Sequence, residues 1–247
     1  MERTRFIGNT VEATGSGSFV MSGALNGFFQ GSTVRIEDVE VQGSLLLAGT
    51  PFGGAGATLD FLSSTQATLD RFRLVDNTAT VPAEQALLSV QNSSFVLLRD
   101  VLVAQGEIGM FVASASDAMV LLSQVTATGH TGVGLELDET GTGSISLVNS
   151  IVFGNGTDVG TVGTPAIFPA NLVGIDPLFT NAAGGDYTLA AGSPAEDAGD
   201  IAFSGIGPYD LGHGARVVGP ETDLGAYERG ALFNDGFENG NTGVWSW

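Results

Sequence analysis

The chain has 247 residues, 43% of them hydrophobic and only 14% charged, so it carries ample apolar surface to bury and does not read as a disordered chain. Its 27 acidic residues against 8 basic ones give a formal charge of −19, which repels nucleic-acid phosphates and anionic lipid and argues against both as partners. The absence of cysteine excludes disulfide frameworks and thiolate metal sites, and no apolar run approaches the roughly 20 residues of a membrane-spanning helix.

The first residues, Met1-Glu2-Arg3-Thr4-Arg5-Phe6, lack the apolar stretch of a signal peptide. They run within a few positions into Gly- and Ser-rich, strand-like sequence with no polar cap. An end of that kind leaves a strand edge open, so Met1 is not expected to be the natural start. A longer parent chain would carry the export signal and further repeats.

Five segments, 32–43, 65–77, 93–106, 117–129 and 143–156, then superpose with their apolar residues in common columns. Anchored on Val39, Phe72, Val101, Val125 and Ile151, they carry Ile36, Leu69, Leu98, Leu122 and Val148 three positions earlier. Val41, Leu74, Val103, Ala127 and Phe153 follow the anchors two positions later. An apolar residue at every second position, broken by a two-residue polar corner and then resumed, predicts two short strands meeting at a bend with one side facing inward. The anchors lie 33, 29, 24 and 26 residues apart, a spacing of stacked repeats rather than hairpins. Further strand-like runs at 44–48, 58–62, 86–90, 109–113 and 133–137 predict about three strands per repeat, with glycine supplying the corners.

The corners read Glu37-Asp38, Asp70-Arg71, Arg99-Asp100, Ser123-Gln124 and Asn149-Ser150. Stacked in parallel register, outside the core or at the turn, they set Asp38 against Arg71, Asp70 against Arg99, Arg71 against Asp100 and Glu40 against Arg73. Glu37 over Asp70 is the unfavourable pair, which Arg71 or Arg99 would offset. Such pairs are worth roughly 0.2–1 kcal/mol each, enough to tune register.

After about residue 160 the apolar columns stop and Asp, Pro and turn residues take over. Four motifs follow in order: Asp176-Pro177-Leu178-Phe179, Asp186-Tyr187-Thr188-Leu189, Ala191-Gly192-Ser193-Pro194-Ala195-Glu196-Asp197-Ala198-Gly199-Asp200, and Asp223-Leu224-Gly225-Ala226-Tyr227-Glu228. Together with the preceding Asn149-Ser150-Ile151-Val152-Phe153-Gly154-Asn155, this stretch resembles the C-terminal region of bacterial right-handed parallel β-helix surface proteins of the choice-of-anchor Q type. Glu196 departs from the pattern, which leads us to expect an aliphatic residue facing the core there. The segment reads as a terminal cap in which Phe179, Tyr187, Leu189 and Tyr227 cover the last repeat, and Arg216 is expected to pair with one of the cap's own carboxylates. Beyond it, Leu232-Phe233-Asn234-Asp235-Gly236-Phe237-Glu238 and Trp245-Ser246-Trp247 are similar to a short signature on exported Gram-negative proteins, and read as a flexible or sorting tail.

The expected fold is therefore all-β: a right-handed parallel β-helix, a single-stranded solenoid, over 1–160, with an irregular C-terminal cap over 161–231 and a tail over 232–247. The resemblance implies an exported or cell-surface protein, and also raises polysaccharide cleavage, since many such folds are pectate-lyase-like. A lyase requires a base at the sugar α-proton, commonly Arg or Lys, and often calcium-binding carboxylates. The chain has no lysine, and Arg71, Arg73 and Arg99 are matched to acids. A hydrolase requires paired carboxylates. Glu37, Asp38, Asp70, Asp76 and Asp100 lie near one side, but an ion-paired charge ladder is the favoured reading.

No catalytic residue is assigned; in the enzymatic alternative, a polysaccharide lyase or glycoside hydrolase, Asp70, Asp100 and Arg99 carry the chemistry. His130 and His213 sit in glycine-flanked loops far apart and read as surface histidines, which disfavours zinc. Neither a Gly-x-Ser-x-Gly elbow nor a phosphate-binding loop is present. No cofactor is expected, calcium at Asp138-Glu139 or Asn155-Gly156-Thr157-Asp158 being the weak exception. The expected role is a non-enzymatic structural or adhesion module, acting as a monomer and contacting polysaccharide or cell-surface glycan.

Overall fold

The computed structural model describes residues 4–12, 24–47, 55–79, 84–203 and 205–230; the expected tail lies outside them. Alternating Val, Leu and Ile make strands with one face free for a core, and the chain returns to the same sheets repeatedly. The longest sheet sets β1 (Thr4–Ile7), β4 (Thr33–Gln42), β7 (Gln66–Val75), β10 (Phe95–Gly106) and β12 (Met119–His130) side by side. It continues with β14 (Ser144–Val148) and β15 (Ser150–Phe153), both paired with β12, and then β17 (Ala166–Ile167) and β18 (Asn171–Val173).

A second sheet runs through β3 (Leu25–Gln30), β6 (Ala57–Leu62), β9 (Glu84–Val90), β11 (Ile108–Ala115), β13 (Val133–Thr140) and β16 (Thr157–Val162). A third holds β2 (Thr10–Glu12), β5 (Leu45–Leu47) and β8 (Thr78–Ala79). The neighbours in these three sheets pair in parallel. The remaining strands, β19 (Phe179–Asn181) and β20 (Asp186–Leu189), pair antiparallel with each other. No helix among the described residues is long and apolar enough to cross a membrane.

Three strands per repeat hold only for the first three passes. Among the described residues the third sheet ends at β8, and later passes alternate between the two larger sheets. The shorter anchor spacings after Val101, 24 and 26 residues, are the trace of that missing strand.

The predicted register holds for four repeats, with Val39 facing Phe72, Phe72 facing Val101 and Val101 facing Val125. The fifth is displaced by one residue. Ile151 faces Thr126, not Val125, and Leu122 faces Leu147, not Val148. Because side chains alternate with period two, a single-residue shift exchanges the faces of the strand. Val152 joins the interior cluster with Val125 and Ala127, whereas Ile151 packs outside with Leu172, Leu189, Ala195 and Leu224. Apolar residues on both faces of β15 made the two registers equivalent by hydrophobicity.

The corners are made by one residue each, in the left-handed conformation: Asp38, Arg71, Asp100, Gln124 and Asn149 have φ of 58°, 57°, 55°, 52° and 53°. One extra residue out of the ladder restores the inward face after the bend. These are the polar corners of the sequence pattern, and they take the left-handed conformation without glycine. Glycine instead dominates the bend after the anchors, at Gly8, Gly43, Gly129 and Gly154, where it shares the column with Asp76 and Gln105.

Parallel pairing continues past residue 160, to Val173. The segment 174–230 then runs back across the outer face of the long sheet rather than over its end. Tyr187, Leu211 and Ala226 pack on Val75, Leu102 and Ala104, with Phe179 and Tyr227 alongside. Ala226 N donates to Thr126 Oγ1 at 2.9 Å, Gly225 N to Asn149 O at 2.8 Å, and Asp200 N to Asn149 Oδ1 at 2.9 Å. Of the residues expected to cover the last repeat, Phe179 and Leu189 pack with Ile151 and Leu172 of the last passes, whereas Tyr187 and Tyr227 lie on earlier ones, so the segment forms a lateral brace. The cause is local: after the corner the outer face carries Val75 of β7, Leu102 and Ala104 of β10 and Thr126 of β12, apolar or small residues that need cover. Glu196 does not face the core; it pairs with Arg229, while its neighbour Ala195 is buried.

Candidate functional site

Beneath the brace the corner charges form a buried cluster, not the exposed ladder expected. Asp70 and Asp100 are 0% exposed, Arg71 3% and Arg99 9%. Arg71 chelates Asp38, its Nε donating to Oδ1 at 2.7 Å and its Nη2 to Oδ2 at 3.3 Å. Asp70 Oδ2 accepts from Arg99 Nη2 at 2.8 Å and lies 3.0 Å from Arg71 Nη1 and 3.5 Å from Arg35 Nη2. Arg71 Nη2 also reaches Glu37 Oε2 at 3.0 Å, which relieves the unfavourable stacking of Glu37 over Asp70. Glu40 is held by Arg73 Nη1 at 3.1 Å and Arg5 Nε at 2.7 Å.

The expected pairing of Arg71 with Asp100 is replaced. Asp100 Oδ1 lies 3.3 Å from Nη1 of Arg216, which reaches in from the brace and is itself 1% exposed. Arg216 therefore pairs with the sheet as well as approaching its own segment's Glu228, with Nε 3.9 Å from Oε2. Burial pushes the Asp100 carboxyl up to about 7; Arg216 and Arg99 oppose the push, while Asp70 and Asp210 add to it.

Asp70, Asp100 and Arg99 are thus brought together, as the enzymatic alternative requires, but sealed from solvent. Gly207 of the brace lies so close over them that a Cβ there would stand 3.1 Å from Arg99 Nε and 3.2 Å from Asp100 Oδ2. Every arginine among the described residues contacts a carboxylate: Arg5, Arg35, Arg71, Arg73, Arg99, Arg216 and Arg229.

His130 ends β12 and is buried, not a surface histidine, and burial holds its imidazole down to about 4. The proposed calcium turns are engaged with the backbone. Glu139 accepts from Ile145 N at 2.5 Å and Thr164 N at 3.2 Å, and Asp158 accepts from Asn155 N at 3.1 Å. No group of three or more metal-ligating side chains occurs among the described residues.

An open cavity of about 190 Å³ remains where the brace meets β4 and β7. Asp38, Glu40, Arg71 and Arg73 line it from the sheet; Leu211, Gly212, His213 and Tyr227 line it from the brace. His213 has φ 67°, and its Nε2 lies 3.4 Å from Asp38 Oδ1. Its loop is fastened by Asp210, whose backbone carbonyl accepts from His213 N at 3.0 Å, Oδ1 from Gly214 N at 2.7 Å and Oδ2 from Glu228 N at 3.0 Å. Sequence reasoning placed neither His213 nor Tyr227 here. The available signal was the histidine between two glycines, Gly212 and Gly214.

No protein-family model, curated protein or solved structure matches the chain.

Proposed function

We propose that this chain is a right-handed parallel β-helix of an exported or surface-displayed bacterial protein, acting as a non-enzymatic, rigid module that contacts glycans. Parallel sheets built from recurring passes support the β-helix reading. The motifs between residues 143 and 228 support the choice-of-anchor Q resemblance and, through it, the surface location. The observation that carries the non-enzymatic reading is the burial and pairing of the candidate machinery: Asp70, Asp100 and Arg99 lie under the brace, and each described arginine has an acid partner. A lyase base must reach a substrate carbon, and a guanidinium locked in such a cluster does not.

The competing reading, a polysaccharide lyase or glycoside hydrolase, draws on Asp38, Glu40 and His213 sharing one open cavity. Incubation with a panel of neutral and acidic polysaccharides, followed by reducing-end and unsaturated-product assays, separates the two. The module reading expects retention on immobilised glycan with no product. Turnover abolished by Asp38→Asn or Glu40→Gln would replace it with the enzyme.

A further inference from the structure

The cavity between brace and sheet is smaller than the roughly 300–1,000 Å³ typical of sites for drug-sized molecules, and at about 190 Å³ it matches a single six-membered ring. Its charged walls cancel. Asp38 and Glu40 line it together with Arg71 and Arg73, already joined as the ion pairs Asp38–Arg71 and Glu40–Arg73. An entering anion meets two carboxylates, and an entering cation meets two guanidinium groups. A neutral molecule bearing several hydroxyls, each both donor and acceptor, is served by both kinds of wall. Tyr227 adds an aromatic ring, against which the C–H face of a sugar packs.

The rim is held in a fixed conformation. His213 holds a left-handed backbone, φ 67°, that side-chain-bearing residues rarely adopt, and three hydrogen bonds to Asp210 fix the loop around it. This places an imidazole at the mouth beside Asp38, 3.4 Å away.

We infer that this cavity binds one neutral pyranose residue of a glycan, with His213 and Tyr227 as its determinants. The inference rests on the glycan-contacting reading and gives it a site and a sugar class, neutral rather than uronic.

The test is titration of the whole chain with the methyl glycosides of glucose, galactose and mannose, and with methyl galacturonoside as the anionic comparator, followed by calorimetry and two-dimensional NMR. At least one neutral glycoside is expected to bind saturably, with resonance shifts centred on His213 and Tyr227. Tyr227→Ala and His213→Gly should each weaken that binding by about tenfold or more. Glycine accepts the backbone conformation at 213, so His213→Gly removes the imidazole without straining the loop. Absence of saturable binding by all three neutral glycosides overturns the inference, as does equal affinity in His213→Gly or a preference for the galacturonoside. On a glycan array, binding that survives both substitutions defeats the cavity and leaves the broader reading standing. An array silent towards intact glycans, with saturable methyl-glycoside binding lost in both variants, upholds the cavity and removes the broader reading.

Discussion

Arg216 and Asp100 face each other across the seam between the brace and the long sheet, 3.3 Å apart and both shielded from water. The same guanidinium donates through Nη2 to Asp223 O at 2.6 Å and Gly225 O at 2.8 Å, so it fastens the brace to itself as well as to the sheet. A buried pair of this kind contributes little net stability, yet removing one partner strands the other charge at a cost of about 3–5 kcal/mol. Arg216→Met is expected to lose stability of that order in urea unfolding well above pH 7, where the Asp100 carboxyl is ionised, and less at acid pH, where it holds its proton; adding Asp100→Asn should recover part of the loss. A loss below about 1 kcal/mol would show that the seam tolerates an unpaired carboxylate.

The pH dependence has a definite sign. Asp100 is raised from 3.8 to about 7 in the folded state, where Arg216, Arg99, Asp70 and Asp210 surround it. Between those values the folded chain holds a proton that the unfolded chain has released. Its contribution is therefore complete below 3.8 and is lost as the pH climbs through about 7. His130 runs the other way: lowered from 6.5 to about 4, it contributes fully above 6.5 and loses that contribution as the pH falls. The two oppose each other over most of the acid range. Relative to the native chain, Asp100→Asn should gain stability with rising pH by up to about 1.4 kcal/mol per unit, then level off above neutrality, as read by thermal melts at successive pH values.

Gln124 tests the left-handed corner. Its φ of 52° is strained for a residue with a Cβ, and its side chain is buried beside Ser123. Gln124→Gly should be near neutral, since relief of strain offsets the lost contact with the Ser123 hydroxyl. Gln124→Val, with a branched side chain in the same conformation, should cost about 1–3 kcal/mol. Equal stabilities for the two variants would mean that the corner relaxes out of the left-handed region.

Asparagines bracket successive passes. Asn77 joins Val41 O to Ser44 N, Asn155 joins Ala127 O to His130 N, and Asn171 joins Leu147 O to Ser150 N, with bonds of 2.8–3.1 Å. Each bridges a carbonyl and an amide three residues apart in the preceding pass. Asn171→Ala leaves that carbonyl and that amide without the side-chain partner and should cost about 1–3 kcal/mol in denaturant unfolding.

Gly225 reports on the brace directly. With φ 84° and no Cβ, it comes so close to the sheet that an alanine would place its methyl 2.6 Å from Thr126 Oγ1 and 2.7 Å from Ile151 Cδ1. Gly225→Ala should lift the brace locally and speed proteolytic cleavage within 174–230. An unchanged digestion pattern would mean that the brace shifts without detaching.

The repeat was legible because Val39, Phe72, Val101 and Val125 stand at matching positions in one face of the long sheet, and alternation reads out as period two. The fifth pass was misregistered because Val148, Ile151, Val152 and Phe153 are apolar on both faces, and periodicity is silent there. That doubling of apolar character was itself the sign of a second layer: Ile151 and Leu102 are buried by the brace, not by the interior. The charge pairs Asp38–Arg71, Asp70–Arg99 and Glu40–Arg73 follow from the register alone. Their burial does not, since it depends on residues about 100 or more positions later in the chain. His213 escaped for the same reason, because its partner Asp38 belongs to an early pass.

The brace also changes how the molecule comes apart. In a stack whose members touch only their neighbours, end members unravel independently and melting is gradual. Here one continuous segment grips Asn149 through Asp200 and Gly225, Asp100 through Arg216, and Asp38 through His213. Five neighbours in a row thus share a single clasp, so loosening any one strains the bonds of all the others. The passes under the brace are built to melt together rather than to fray one by one.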